Sequence, residues 1–150
     1  MQTANKILMV RPAHFTFNEQ TAGNNHFQIK TSNSNLSERA LKEFDDFVEI
    51  LRKNKIDVVV VQDTIEPHTP DSIYPNNWFS THSTGELVLY PMFAENRRLE
   101  RKQSAINTIK EHFSAHKVID LTKWEDKNRF LEGTGSMILD HNNRVAYACR

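Results

Sequence analysis

The feature of this sequence that most constrains its fold is a nearly continuous run of β-branched residues, IDVVVV, at positions 56–61. A strand with one face in water would alternate apolar and polar residues, and this run does not alternate. It therefore predicts a strand that is buried on both faces, as strands are when helices cover a sheet. We interpret the chain as an α/β protein.

The residues before this run predict a strand and a helix. The apolar run KILMV at 6–10 predicts a buried strand that ends at Arg11-Pro12, and the polar stretch 13–34 predicts a long loop of the kind that often carries function. Apolar residues then recur at spacings of three and four, which predicts a helix that Ser34 or Asn35 caps. The residues of this stripe are Leu36, Ala40, Leu41, Phe44, Phe47, Val48 and Leu51.

The second half of the sequence predicts a repeated hairpin. Two strands flank a Thr84-Gly85 turn, a helix and a strand follow, and a second hairpin comes last. The predicted ranges are strands 78–82 and 86–90, helix 99–113 with Leu99, Ala105, Ile106, Ile109 and Phe113 inward, strand 118–121, and strands 136–139 and 144–148. The unit hairpin–helix–strand thus begins a second time without its helix, which predicts that the 150 residues are half of a larger domain.

Composition excludes several classes of protein. The 19 Lys and Arg balance the 19 Asp and Glu, so the net charge of zero offers no basic surface for nucleic acid or an acidic membrane. No apolar run approaches the ~20 residues of a membrane span, and the N-terminal residues do not resemble a signal peptide. The sequence predicts a cytoplasmic globular protein without nucleic-acid or membrane partners.

The histidines and the lone cysteine do not predict a metal site or a nucleophile. Of the seven histidines, His112 and His116 are four residues apart and could share a helix face, but no third ligand has suitable spacing. Cys149 ends the apolar stretch AYAC, where a small buried side chain is the simpler interpretation. Nothing local would lower its pKa, so we do not assign it a catalytic role.

Three polar stretches could carry chemistry, although each also has an ordinary structural explanation. PDSIYPNNW contains turn-forming residues, and NRRLERK is a basic cluster that a solvated helix end would explain. Arg97 or Arg98 in that cluster could instead bind a substrate carboxylate with two hydrogen bonds. In FLEGTGS, Glu132 is either an incidental acid beside a glycine turn or a partly buried carboxylate that needs a partner.

Together and in this order, the stretches resemble a known superfamily. MVRPAHFTFNEQTAGNNHFQ, TPDSIYPNNWFSTHSTGELVLYPMFAENRRLERK and FLEGTGSMILDHNNRVAYAC resemble the N-terminal half of the guanidino-group-modifying enzymes, which include arginine deiminase and dimethylarginine dimethylaminohydrolase. The most similar branch is the citrulline-utilisation hydrolases. The resemblance implies a five-bladed α/β propeller (the pentein fold) of ββαβ units, with residues 1–150 forming about half of it as the N-terminal part of one domain.

The resemblance also implies a reaction and roles for several residues. A cysteine thiolate attacks the carbon of a guanidinium or ureido group, ammonia or an amine leaves, and water then hydrolyses the covalent adduct. A histidine acts as general acid and base, and no cofactor is needed. Glu132 matches the carboxylate that orients this histidine. Asp71 matches the contact to the amino-acid end of the substrate, and Arg98, with Arg97 as the alternative, matches the ligand of its carboxylate.

Two neutral amides stand where relatives carry acids. Asn76 and Asn77 occupy the positions that hold the guanidinium head group in relatives. A guanidinium is a charged donor that favours carboxylates, whereas a ureido group is neutral and offers both donors and an acceptor. Amides match the ureido group without placing an unpaired charge beside it. We therefore expect citrulline, or a related ureido or guanidino amino acid, as the small-molecule substrate.

Nothing in the sequence matches the catalytic histidine and cysteine, which the resemblance places in the C-terminal half of the superfamily. We therefore expect these 150 residues to be inactive alone, as the N-terminal part of a hydrolase of C–N bonds. One alternative is an amidinotransferase fragment. A second is a non-catalytic half-propeller that binds a ligand, pairs with a partner chain or forms a homo-oligomer. The third is a truncated chain without a function of its own.

Overall fold

The computed structural model describes residues 4–23, 25, 28–30 and 35–148. These residues belong to two compact units, which are described separately. The first unit comprises Lys6–Tyr74 and Ala94–Glu100. The second unit comprises the described residues of Met1–Asn5, Pro75–Phe93 and Arg101–Arg150. The prediction of one domain remains a prediction.

The first unit contains a β-α-β arrangement. Its elements are β1 (Lys6–Arg11), α1 (Leu36–Lys53) and β2 (Asp57–Gln62). The two strands are parallel and pair along their whole length, and the chain returns from one to the other through α1. A parallel pair requires such a crossover because a tight turn can join only antiparallel strands. The predicted strand, helix and strand are confirmed.

Helix α1 buries less of its apolar stripe than the pattern predicts. Val48 is buried, but Phe47 is 50% exposed. Of the two predicted N-caps, Asn35 occupies that position and Ser34 lies outside the described residues. The helix ends before Asn54, and Lys55 then adopts a positive φ of 65°.

An ion pair ties β1 to α1. The guanidinium of Arg11 donates from Nε and Nη2 to the two carboxylate oxygens of Asp45, each at 2.7 Å. The same contact holds the pKa of the Asp45 carboxyl below its ordinary value, because the hydrogen bonds favour the charged form. The pair therefore links α1 to β1 through two hydrogen bonds.

The second unit contains the predicted ββαβ arrangement. Its sheet has the order β3 (Phe79–Thr81), β4 (Glu86–Leu89) and β5 (Lys117–Asp120), in which β3 and β4 are antiparallel and β4 and β5 are parallel. Gly85 in the β3–β4 turn has a φ of 86°, a conformation that favours glycine. The short helix α2 (Glu95–Arg98) belongs to the first unit, and the helix between β4 and β5 in the second unit is α3 (Gln103–His112).

The final hairpin of the chain is also confirmed. Strands β6 (Met137–Asp140) and β7 (Val145–Ala148) pair antiparallel. A 3-10 helix at Thr122–Lys127 and a single helical turn, α4 (Gly133–Ser136), precede them. Cys149, which the sequence analysis assigned to this strand end, lies outside the described residues.

The prediction of one helix over 99–113 is wrong at its start. Lys102 has an extended backbone with a ψ of 139°, which separates the short α2 from α3. Leu99 falls in the break and is 49% exposed, so it does not face inward as predicted. Ala105 and Ile109 are buried as predicted. The basic cluster NRRLERK consequently lies before α3, on α2 and the break that follows it.

No helix among the described residues combines the length and the apolar character that crossing a membrane requires.

We expect Ile109→Ala to destabilise the second unit. Ile109 is completely buried, so the truncation removes apolar contacts and leaves a cavity, at a cost of about 2–5 kcal/mol in the free energy of unfolding. Urea denaturation of the protein measures this cost. Ile50→Ala is the control, because Ile50 also lies in a helix but is 53% exposed. Equal losses in the two variants would contradict the assigned core position.

Candidate functional site

Asp71 lies in the interior of the first unit within a network of polar side chains. Its carboxylate is buried, and Oδ2 accepts hydrogen bonds from Asn18 Nδ2 at 2.7 Å and Thr21 Oγ1 at 3.1 Å. Among the described residues none hydrogen-bonds the other oxygen, Oδ1. Asp71 is thus a carboxylate whose orientation is fixed through Oδ2.

Asn18 and Thr21 are site residues that the sequence analysis did not single out. Both lie in the stretch predicted as a long polar loop, and Asn18 is only 1% exposed. Asn96 donates from Nδ2 to Asn18 Oδ1 at 2.7 Å, which fixes the orientation of the Asn18 amide. The only sequence signal was their position in the first block of the family resemblance, because the local pattern does not distinguish a buried loop asparagine from an exposed one.

Arg97 is held inside the first unit by protein groups. Its side chain is 6% exposed, and Nε and Nη2 donate to the two carboxylate oxygens of Glu100 at 2.8 and 3.1 Å. Nη2 also donates to the carbonyl oxygens of Tyr74 at 3.2 Å and Asp71 at 3.5 Å. Arg98 is only partly buried. Of the two predicted carboxylate ligands, Arg97 is therefore already occupied by internal contacts.

Burial raises the pKa of the Glu100 carboxyl to about 7. The loss of hydration penalises the charged form more than the hydrogen bond and charge of Arg97 favour it, and the nearby carboxylates of Asp71 and Asp63 raise the pKa further. The Glu100 carboxyl therefore keeps its proton to a higher pH than an exposed glutamate does.

In the second unit, the Gly-Thr-Gly stretch packs directly against the two asparagines. A Cβ atom on Gly133 would lie 2.3 Å from the carbonyl oxygen of Asn76, and one on Gly135 would lie 2.1 Å from Asn77 Nδ2. Asn76 Nδ2 donates to Thr134 Oγ1 at 3.0 Å. The glycines therefore permit the close backbone approach that the sequence suggested, and the hydroxyl of Thr134 orients the Asn76 amide.

Glu132 has the partner that a partly buried carboxylate requires. Its Oε1 accepts the backbone N–H of Phe93 at 3.0 Å, and its own N–H donates to Ser136 Oγ at 3.0 Å. The rings of Phe93 and Phe130 meet edge-on with centroids 5.3 Å apart. None of the residues that the structure describes hydrogen-bonds Oε2. Glu132 is therefore fixed at one oxygen and can accept a proton donor at the other.

A second cluster in this unit joins a serine, a histidine and a tyrosine. Ser80 Oγ lies 2.9 Å from His82 Nε2 and 2.8 Å from Tyr90 OH, and the ring of His82 is 6.0 Å from that of His141. Burial lowers the pKa of His82, with the nearby His141 acting in the same direction. Within the described ranges, no group of three or more His, Cys, Asp or Glu side chains is placed to hold a metal ion.

The family model described as N,N dimethylarginine dimethylhydrolase, eukaryotic, matches residues 11–150. No match was found among curated proteins.

Several solved structures share the fold. The N-terminal domain of ArgZ, bound covalently to a reaction intermediate, is 21% identical with a TM-score of 0.61, and the match covers 95% of this chain and 47% of that one. ArgZ is described as an arginine dihydrolase from the ornithine-ammonia cycle in Cyanobacteria. AgrE with ornithine and NAD+ is 23% identical with a TM-score of 0.63, covering 95% of this chain and 19% of that one.

A dimethylarginine dimethylaminohydrolase, captured as an adduct with S-methyl-L-thiocitrulline, is 13% identical with a TM-score of 0.61. The match covers 93% of this chain and 48% of that one. The chain therefore spans about half the length of this structure and of the ArgZ domain, and about a fifth of AgrE.

We expect stability to depend on pH through Glu100. The pKa of Glu100 in the folded protein is about 7, above the ordinary 4.5. The contribution of its protonated form to the free energy of unfolding is therefore complete below pH 4.5 and is lost as the pH rises through 7. Relative to Glu100→Gln, the wild type should lose roughly 3 kcal/mol of unfolding free energy across this window. Urea denaturation at several pH values measures the difference.

The matched control is Glu43→Gln, since the side chain of Glu43 is 73% exposed. This variant should keep the pH slope of the wild type. A wild-type slope equal to that of Glu100→Gln would contradict the raised pKa.

Proposed function

The chain belongs to the N,N dimethylarginine dimethylhydrolase family, and from this premise we propose that it is the N-terminal part of a cysteine-dependent hydrolase of a ureido or guanidino amino acid. The observation that supports this proposal most directly is the family match over residues 11–150. The guanidino-group-modifying superfamily that the sequence resembles is thereby confirmed, as is its α/β fold. The number of propeller blades remains a prediction.

Glu132 is proposed to orient the histidine that serves as general acid and base. The backbone N–H of Phe93 holds Oε1, which leaves Oε2 to accept a ring N–H of an imidazole. A carboxylate in this position sets the tautomer of the histidine and stabilises its protonated form while ammonia departs. The fixed geometry of Glu132 supports this role.

Asn76 and Asn77 are proposed to bind the head group of the substrate. Asn76 donates a hydrogen bond from Nδ2 to Thr134 Oγ1, which orients its amide. Its side-chain oxygen Oδ1 is proposed to accept an N–H from the ligand. An amide carbonyl carries no charge, and a neutral ureido group can donate to it without leaving a charge unpaired. The chemistry of these two residues therefore favours citrulline over arginine.

Asp71 and Arg98 are proposed to bind the amino-acid end of the substrate. Asp71 has one oxygen held by Asn18 and Thr21, and its other oxygen is suited to an ammonium group. Arg98 is proposed to bind the α-carboxylate, since Arg97 is engaged by Glu100 and two backbone carbonyls. This assignment gives the two neighbouring arginines different tasks.

We expect Glu132→Gln in the full-length protein to reduce kcat for citrulline by about 10²–10⁴-fold, because the amide cannot stabilise a protonated histidine. The Kd for citrulline should change little. Ammonia release measures the first quantity and titration calorimetry the second. Glu95→Gln is the control, because Glu95 is exposed on α2. A near-normal rate for Glu132→Gln would refute the proposed role.

We expect Asn77→Asp to shift the preference between citrulline and arginine by about tenfold or more toward arginine, because the new charge complements a guanidinium. The ratio of the two kcat/KM values measures the preference. Asn107→Asp is the matched control, since Asn107 is exposed on α3. An unchanged ratio in Asn77→Asp would reject the charge-matching argument while leaving the hydrolase proposal intact.

A further inference from the structure

Arg97 and Glu100 form a buried pair in the first unit to which the proposed reaction assigns no task. We propose that this pair is a clamp that positions Asp71 to bind the amino group of the substrate, and that Arg97 acts through Asp71 without touching the substrate. The inference rests on the proposed function only for the role of Asp71. The clamp itself is defined by contacts within the first unit.

The guanidinium of Arg97 holds both ends of the turn that carries Asp71. Its Nη2 donates one hydrogen to Glu100 Oε2 at 3.1 Å, and the carbonyls of Tyr74 at 3.2 Å and Asp71 at 3.5 Å share the other hydrogen. The turn is closed by a hydrogen bond from the Tyr74 N–H to the Asp71 carbonyl at 3.0 Å. One nitrogen thus ties down the backbone on both sides of the turn.

Glu100 fixes the guanidinium that makes these contacts. The pair is bidentate, with the side chains of Arg97 and Glu100 only 6% and 1% exposed. A lysine could not replace Arg97, because an ammonium lacks the planar fork that reaches a carboxylate and two carbonyls together. Removing the guanidinium of Arg97 would leave the Glu100 carboxylate buried without its partner, which is strongly destabilising in general.

Arg97 positions the Asp71 carboxylate mainly through its contacts with the backbone of the turn. The distance from Arg97 Nε to Asp71 Oδ2 is 4.0 Å, beyond a hydrogen bond, whereas Asn18 and Thr21 donate to that oxygen directly. Asn96, adjacent to Arg97 on α2, in turn holds Asn18. Helix α2 therefore supports Asp71 on its backbone side through Arg97 and on its carboxylate side through Asn96.

The kinetic test compares two substrates of the full-length protein, citrulline and 5-ureidopentanoate, which lacks the α-amino group. In Arg97→Lys we expect KM for citrulline to rise about tenfold, with a much smaller change in kcat and in KM for 5-ureidopentanoate. Glu100→Gln, which keeps an acceptor oxygen for Arg97, should show the same change to a smaller degree. A purely structural role would reduce the active fraction and leave both KM values unchanged.

Two further variants test whether the effect passes through Asp71. In the Asp71→Asn background, Arg97→Lys should add little to KM for citrulline, because the two changes remove the same contribution. Arg101→Lys is the matched control, since Arg101 forms a partly buried pair with Glu125 at 2.8 Å in the second unit. If the control changes the ratio of the two KM values as much as Arg97→Lys does, the clamp is refuted.

A measurement without substrate separates the clamp from the proposed function. Hydrogen–deuterium exchange at the amides of residues 69–74 should be faster in Arg97→Lys and Glu100→Gln than in the wild type and Arg101→Lys. Unchanged exchange in both variants overturns the clamp whatever the substrate. If exchange rises but the wild type hydrolyses no ureido or guanidino amino acid, the clamp stands and the proposed function fails.

Discussion

The burial of the Asp71 carboxylate is the constraint on which much of the first unit depends. A buried carboxylate is stable only where donors replace the water it has lost. Asn18 and Thr21 supply those donors from one loop, and Arg97 supplies a nearby positive charge and holds the turn by its carbonyls. Three segments that are distant in sequence therefore have to meet at one carboxylate, and the helix that carries Arg97 is held in place by the same contacts.

A steric constraint determines the arrangement of the corresponding residues in the second unit. Gly133 and Gly135 lie so close to Asn76 and Asn77 that any side chain at either glycine would collide with them. The backbone after Glu132 can therefore approach the two amides, and Thr134 between the glycines contributes a hydroxyl to one of them. The absence of side chains at the two glycines thus allows a polar surface to form at the two amides, which is the arrangement that the proposed recognition of a neutral head group requires.

Much of the fold could be predicted because it follows from local periodicity. The β-branched run that forms β2 and the stripe that forms α1 appear in the structure within one or two residues of their predicted bounds. The prediction was wrong at the start of α3, where Lys102 is extended and Leu99 is exposed. Helical periodicity follows the spacing of apolar residues, so it could not reveal this break. The residues beside the break that are buried in the first unit, Arg97 and Glu100, are charged.

The sequence by itself determined the α/β class, the order of the elements and the superfamily, because β-branched runs, helical spacing and the three ordered blocks are properties of neighbouring residues. Only the tertiary structure decided that Arg97 rather than Arg98 pairs with Glu100, that Asn18 supports Asp71, and that Phe93 holds Glu132. The pairings of Asp71 and Glu132 join residues far apart in the chain. Each depends on which groups lose their water on folding, and that loss is set by the packing of the whole unit.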